Sequence, residues 1–267
     1  MRSLILIPLA FLAATAVTTS STAHAQQAPD DGAPHGMVAI GAGVVPEFDG
    51  SGDVRPFPFA TADIRWRGIN FQVRGAGARM DVVSDPRLAI GPVIGPRLPR
   101  RDADGRIGRL PEIGTAIEAG GYIGYRLGGN QFGQGAVQLD LTMVHDISNT
   151  HNGLLATGSA SYAAVQNRDI FLSFDLQTSW ASADYSRTYF GIDQNGATAS
   201  GLAAYTPGSG FRDIGGGVTA GYWFSERFGV IARAGATYLV GDIADSPIVD
   251  EGSRLQPAAG LMLSFRF

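Results

Sequence analysis

His145, Asp146 and His151 are the residues of this chain best suited by type and spacing to do chemistry. A histidine beside a carboxylate, with a serine in reach, is the equipment of a hydrolytic nucleophile. The serines do not complete it. No G-x-S-x-G elbow occurs, and Gly158-Ser159-Ala160-Ser161 does not make one. Histidines of a polar turn are the simpler reading, and His35 sits in a Pro/Gly-rich stretch. Asp102-Ala103-Asp104-Gly105 begins like a calcium loop but lacks the third acidic position and the distal Glu. Gly215-Gly216-Gly217-Val218-Thr219-Ala220 fits G-x-G-x-x-A in form. It opens no helix, however, so it offers no phosphate cradle. Cysteine is absent, which removes thiolate metal sites, Cys nucleophiles and disulfides. The chain is therefore expected to be no enzyme and to hold no cofactor or metal.

A second set of charges follows a different logic. Asp63, Glu118, Asp140, Asp175 and Asp213, with Arg65, Arg74, Arg126, Arg233 and Arg266, recur on one face of alternating segments whose other face is apolar. In residues 69–74, Ile69, Phe71 and Val73 oppose Asn70, Gln72 and Arg74. In residues 170–180, Ile170, Leu172, Phe174, Leu176 and Trp180 oppose Ser173, Asp175, Gln177 and Ser179. Residues 259–267 set Ala259, Leu261, Leu263, Phe265 and Phe267 against Gly260, Met262, Ser264 and Arg266. Segments of about ten residues with one greasy and one charged face suit tilted strands with lipid outside and a polar lumen inside. A soluble sandwich inverts that arrangement. The last segment resembles the closing strand of a bacterial outer-membrane barrel, in which Leu261, Leu263, Phe265 and the terminal aromatic Phe267 act as an assembly signal.

The amino terminus agrees. Arg2, an apolar core over residues 4–17 and Ala23-His24-Ala25 have the plan of a secretory signal peptide, with cleavage expected after Ala25. Residues 26–36 read as a flexible periplasmic lead-in and 37–267 as the barrel. The formal net charge of −4 argues against nucleic acid as a partner. The 37 glycines lie inside alternating segments, which argues against disorder. No helical periodicity stands out. Eleven strands can be delimited: about 37–45, 57–66, 69–74, 87–94, 117–127, 137–143, 154–162, 170–180, 211–224, 228–239 and the last. Both termini on one side require an even number, so the expectation is a closed antiparallel barrel of twelve strands, or alternatively ten. The miscounted strand would fall within 80–110 or 185–205. Trp66, Trp180 and Trp223 at strand ends suggest interfacial girdles.

Ala183-Asp184-Tyr185-Ser186-Arg187-Thr188-Tyr189-Phe190-Gly191-Ile192 resembles the aDxxYxxtYFGv signature of the MltA-interacting protein (MipA/OmpV) family. The resemblance extends to Gly41-Ala42-Gly43-Val44-Val45-Pro46 with Gly50-Ser51, to Ala199-Ser200-Gly201-Leu202 with Tyr205 and Pro207-Gly208, and to residues 239–249. Phe48 departs from the tyrosine common in that family. The resemblance implies an outer-membrane β-barrel inserted by the barrel-assembly machinery into the lipid bilayer. It also implies an envelope scaffold, since the founding member is described as linking a lytic transglycosylase to a bifunctional penicillin-binding protein. Other members are described as porin-like, which makes a small solute channel the alternative. The block Asp184, Tyr185, Tyr189, Phe190, Gly191 would fold the long loop onto the barrel rim or, alternatively, form a partner site. In a bore this narrow, side chains largely cross the space. The lumen charges Arg74, Glu118, Arg126, Asp140, Asp175, Asp213 and Arg233 are expected to pair, because an unpaired buried charge is costly.

Overall fold

A computed structural model describes residues 33–101 and 103–267. The expected signal peptide (1–25), residues 26–32 and Asp102 lie outside the described residues. The period-two pattern forms strands because each can bury a polar face inward only if its apolar face meets lipid. The strands are β1 (His35–Pro46), β2 (Val54–Trp66), β3 (Ile69–Arg74), β4 (Gly77–Asp81), β5 (Leu88–Arg97), β6 (Ala116–Leu127), β7 (Val137–Asp146), β8 (Leu154–Gln166), β9 (Ile170–Ala181), β10 (Gly210–Trp223), β11 (Phe228–Leu239) and β12 (Leu255–Arg266). Each pairs antiparallel with its sequence neighbours, and β1 pairs β12 from Met37↔Arg266 to Val44↔Ala259. The result is a closed twelve-stranded barrel.

The faces follow the alternation. Ile40, Leu176, Leu261 and Leu263 are 73%, 66%, 61% and 67% exposed. These values are tolerable only against lipid. Met37, Phe59, Phe171, Ile231 and Met262 turn inward and pack together. Phe59 lies against Gly43 and Gly260, where a Cβ would sit 2.7 and 3.0 Å from the ring. The lumen is thus narrowed by side chains that rest on small residues across the bore.

Four differences from the sequence reading have physical reasons. The missing strand is β4, which is only five residues long and straddles the edge of the region suspected. His35 and Gly36 belong to β1, paired with Arg65 and Ile64, not to a lead-in. The section 183–209 holds no strand but α1 (Ala183–Phe190) and α2 (Gln194–Ser200), while 240–254 holds α3 (Gly241–Ala244) and α4 (Pro247–Glu251). Trp223 is 4% exposed and faces inward under Arg266, whose guanidinium is 3.4 Å from the ring centroid. It therefore joins no girdle, whereas Trp66 is 43% exposed on the lipid face.

Both described ends of the barrel share one rim, the short-turn rim, with the connections 67–68, 82–87, 128–136, 167–169 and 224–227, while the 75–76 turn points the other way. The connections 47–53, 98–115, 147–153, 182–209 and 240–254, with every helix, share the other.

Candidate functional site

The long-loop rim is filled by its own connections. Tyr185, Phe190 and Ile248 are fully buried, and Tyr189, Ile192, Ile243 and Val249 nearly so. They form two adjoining apolar clusters with Phe48, Ile107, Leu110, Leu202 and Leu239. α1 is seated by local chemistry. Ser182 follows the last residue of β9, with its backbone extended at the N-cap, and Tyr185, Ser186, Tyr189 and Phe190 make one stripe. Ser246 Oγ donates to the Phe190 carbonyl at 2.7 Å, which ties α4 to α1. Gln256 of β12 accepts from Gly50 N–H and donates to the Ser51 carbonyl, both at 3.1 Å. Gly50, at φ +98°, takes a turn that favours glycine, with Val249 and Phe190 close by.

Beneath α1 lies a charged network. Asp49 Oδ2 accepts from the Tyr185 hydroxyl and from Arg212 Nη2, each at 2.8 Å, and faces Arg97 Nη1 at 3.6 Å. Arg97 forks onto Glu118, at 2.6 and 2.9 Å. His151 Nδ1 accepts from Gly153 N–H, so the ring proton sits on Nε2, 3.2 Å from Glu118 Oε1. The Tyr185 ring has Arg97 at 5.1 Å and Arg212 at 5.6 Å from its centroid, and it meets His151 edge-on. Burial raises the Asp49 carboxyl, but Arg212, Arg97 and the Tyr185 hydroxyl outweigh it and hold it below the ordinary value. Burial pushes the phenols of Tyr185 and Tyr189 up. Arg100, whose guanidinium donates to the Tyr189 carbonyl at 2.9 Å, is pushed down by burial to about 10. The arrangement clamps the cap to the wall.

Four of the expected lumen carboxylates are paired, three of them with arginines the sequence concealed. Glu118 meets Arg97, Asp140 meets Arg79 at 3.3 Å, Asp213 meets Arg212 at 2.8 Å, and Asp175 meets Arg233 at 2.9 Å. Of the arginines named in advance, only Arg233 forms an ion pair among the described residues. Arg74 donates to Gln72, Arg266 donates to the Arg168 carbonyl, and Asp63 accepts from Gln72. Arg65 and Arg126 form no ion pair among the described residues. Arg212 was hidden by a bulge. The β9–β10 register shifts between Phe211 and Asp213, so Arg212 and Asp213 both turn inward.

The His–Asp hydrolase kit is not assembled. Asp146 accepts the N–H groups of Ser148, His151 and Asn152 and the Ser148 hydroxyl, which shapes the β7–β8 turn. His145 points outward from β7. The 215–220 glycine run lies within β10.

The barrel is closed, apolar outside and charged inside, the pattern of an outer-membrane β-barrel. Solved structures similar to it include an outer membrane channel from Pseudomonas putida F1, at 11% identity over 91% of this chain and 100% of that one, with TM-score 0.40. A bacterial polysaccharide outer membrane secretin shares 14% identity over 87% and 98%, with TM-score 0.37. The outer membrane channel DcaP of Acinetobacter baumannii shares 11% over 88% and 96%, with TM-score 0.32. No curated protein sequence matches the chain. Residues 38–267 match the model of the MltA-interacting protein MipA family, over nearly the whole described barrel, and the chain belongs to that family.

Proposed function

We propose that this protein is a plugged, non-enzymatic barrel that serves as an envelope scaffold rather than an open pore. The observation that carries this reading is the cap. α1 and α4 fill the long-loop rim with buried side chains, and Asp49, Arg97, Arg212 and Glu118 clamp it from below. Long loops are extracellular in such barrels, which leaves the short-turn rim to periplasmic partners. The family description, an interaction with MltA, supports a link to peptidoglycan turnover, with a lytic transglycosylase and a penicillin-binding protein as partners. The Asp184–Gly191 block, with Tyr185, Tyr189 and Phe190 buried and Asp184 exposed, is read as the cap's anchor and not as a partner site. Phe265 and Phe267, with ring centroids 6.2 Å apart, are read as part of the assembly signal. Conductance of the refolded protein in planar bilayers tests the reading. A closed barrel gives no stable open level, and a large persistent conductance would favour the solute-channel alternative.

A further inference from the structure

The barrel wall has a notch. The β3–β4 hairpin rises only six residues from the short-turn rim, while its neighbours β2 and β5 run for 13 and 10. β2 pairs β3 only from Thr61 to Trp66, so residues 54–60 have β1 on one side and no strand on the other. β5 pairs β4 at Ala78↔Ile94 and Arg79↔Val93. At about 4.8 Å per strand spacing, β2 and β5 stand roughly 14 Å apart above the hairpin. Six residues at about 3.3 Å each, tilted about 40°, place the floor roughly 15 Å above the short-turn rim. That is close to the middle of a ~25 Å apolar band, so the notch opens in the leaflet on the long-loop side.

An open sheet edge in lipid is costly, because its N–H groups have no partner. Here the donors have been removed. The Ala60 carbonyl accepts from Gly75, which fixes the even-numbered positions of β2 as those whose backbone faces the notch. Two of them are Pro56 and Pro58. The Ile90 carbonyl accepts from Val82, which fixes the even positions of β5 as those whose backbone faces β4; Pro92 lies opposite Met80, and Pro96 stands above the hairpin at the notch. Pro56, Pro58 and Pro96 therefore put their missing N–H on the side of the notch. Such edges cannot be completed by an added strand from a partner or a second copy, since those need donors. A hydrocarbon chain needs none. Phe57, on the lumen face of β2 beside the opening, stands edge to face at 5.8 Å from Phe59, which rests on Gly43 and Gly260. Arg55, at the upper end of the same face, makes no ion pair among the described residues, and its buried Nε has no partner.

We propose that this notch is a lateral slot for one acyl chain of an anionic outer-leaflet lipid, with Arg55 taking the acidic headgroup and the chain running down between the proline edges onto Phe57 and Phe59. The proposal does not depend on the scaffold reading, since a slot in the wall is compatible with a closed or a conducting bore.

The cysteine-free chain allows a direct test. Spin labels at Phe57→Cys, at the lumen control Thr157→Cys and at the lipid control Leu261→Cys are compared in phosphatidylglycerol and in phosphatidylcholine liposomes. The ratio of collision with oxygen to collision with a water-soluble nickel chelate reads acyl-chain contact. Site 57 should match Leu261 in phosphatidylglycerol and shift several-fold toward Thr157 in phosphatidylcholine or when Arg55→Gln is added. A site 57 that matches Thr157 in both lipids overturns the slot. Equal chain contact in both lipids, unchanged by Arg55→Gln, overturns the anionic anchor. Heat-modifiable migration verifies folding, and Phe59→Cys replaces any label site that does not fold.

Discussion

Tyr185→Ala should release the cap while leaving the wall intact. The side chain is fully buried, packs on Tyr189 with ring centroids 4.8 Å apart, and donates to Asp49 at 2.8 Å. Truncating a buried aromatic to alanine costs about 3–5 kcal/mol. Losing a hydrogen bond to a charged acceptor costs about 1.5–3 kcal/mol more. The two overlap, because Arg212 and Arg97 still neutralise Asp49, so roughly 4–5 kcal/mol is the working figure. The strand ladder makes no use of this residue, so the loss falls on local opening of α1. Arg187 lies within α1 with an exposed side chain, and trypsin cleaves after it only when the helix opens. If opening and reclosing are fast, cleavage tracks the open population. At about 1.4 kcal/mol per decade, Tyr185→Ala should speed appearance of the fragment ending at Arg187 by roughly a thousandfold. Tyr185→Phe, which loses only the hydroxyl, should speed it about ten- to a hundredfold. Mass spectrometry of timed digests in detergent reads both. Cleavage within twofold of the parent in the alanine variant, with heat-modifiable migration unchanged, would refute the clamp.

The remaining expectations are shorter. Arg97→Gln strands Glu118 with His151 as its nearest cation-capable neighbour and should cost the cap about 2–4 kcal/mol, less than a fully buried break because Arg97 is 20% exposed; brief openings in planar bilayers should become frequent. Asp49 has a folded pKa below its unfolded one, so its contribution is complete above about pH 4 and is lost as pH falls through the lower folded value. Opening frequency should stay flat from pH 7 to about pH 4 and climb only below that. His151→Ala should loosen the same cap, whereas His145→Ala should change neither cap nor wall; equal effects in the digest assay would contradict their placement. Phe267→Ser should cut the yield of heat-modifiable barrel several-fold during assembly in cells while leaving refolding in detergent close to the parent.

Much of the wall was legible because lipid and lumen impose opposite demands on successive residues. Ile170 to Trp180 and Ala259 to Phe267 could be assigned face by face from that alternation alone. β4 escaped because five residues carry too little alternation, and Arg79 and Asp81 look like loop. Arg212 escaped because a bulge defeats period two, and nothing in Phe211-Arg212-Asp213 announces one. α1 had a signal that strand reading overlooked: Tyr185 and Tyr189 are four apart, and Ser182 stands at the N-cap position. The carboxylates of the network were anticipated at Glu118 and Asp213. Asp49 was not, since a loop residue has no face until the cap folds over it.

The bulge at Arg212 has an architectural consequence. It divides β10 into a short upper piece, which carries the chain from α2 into the wall, and a long lower piece, whose parity is fixed by pairing with β9 and β11. Deleting that one residue would leave the pairs with β9 in place on both sides of the bulge while removing the cation that meets Asp49. A single position therefore acts as an adapter between two parts of the molecule that obey different rules, a wall tuned to the bilayer and a lid tuned to its own contents. The lid can drift in sequence and shape without asking the wall to change its register.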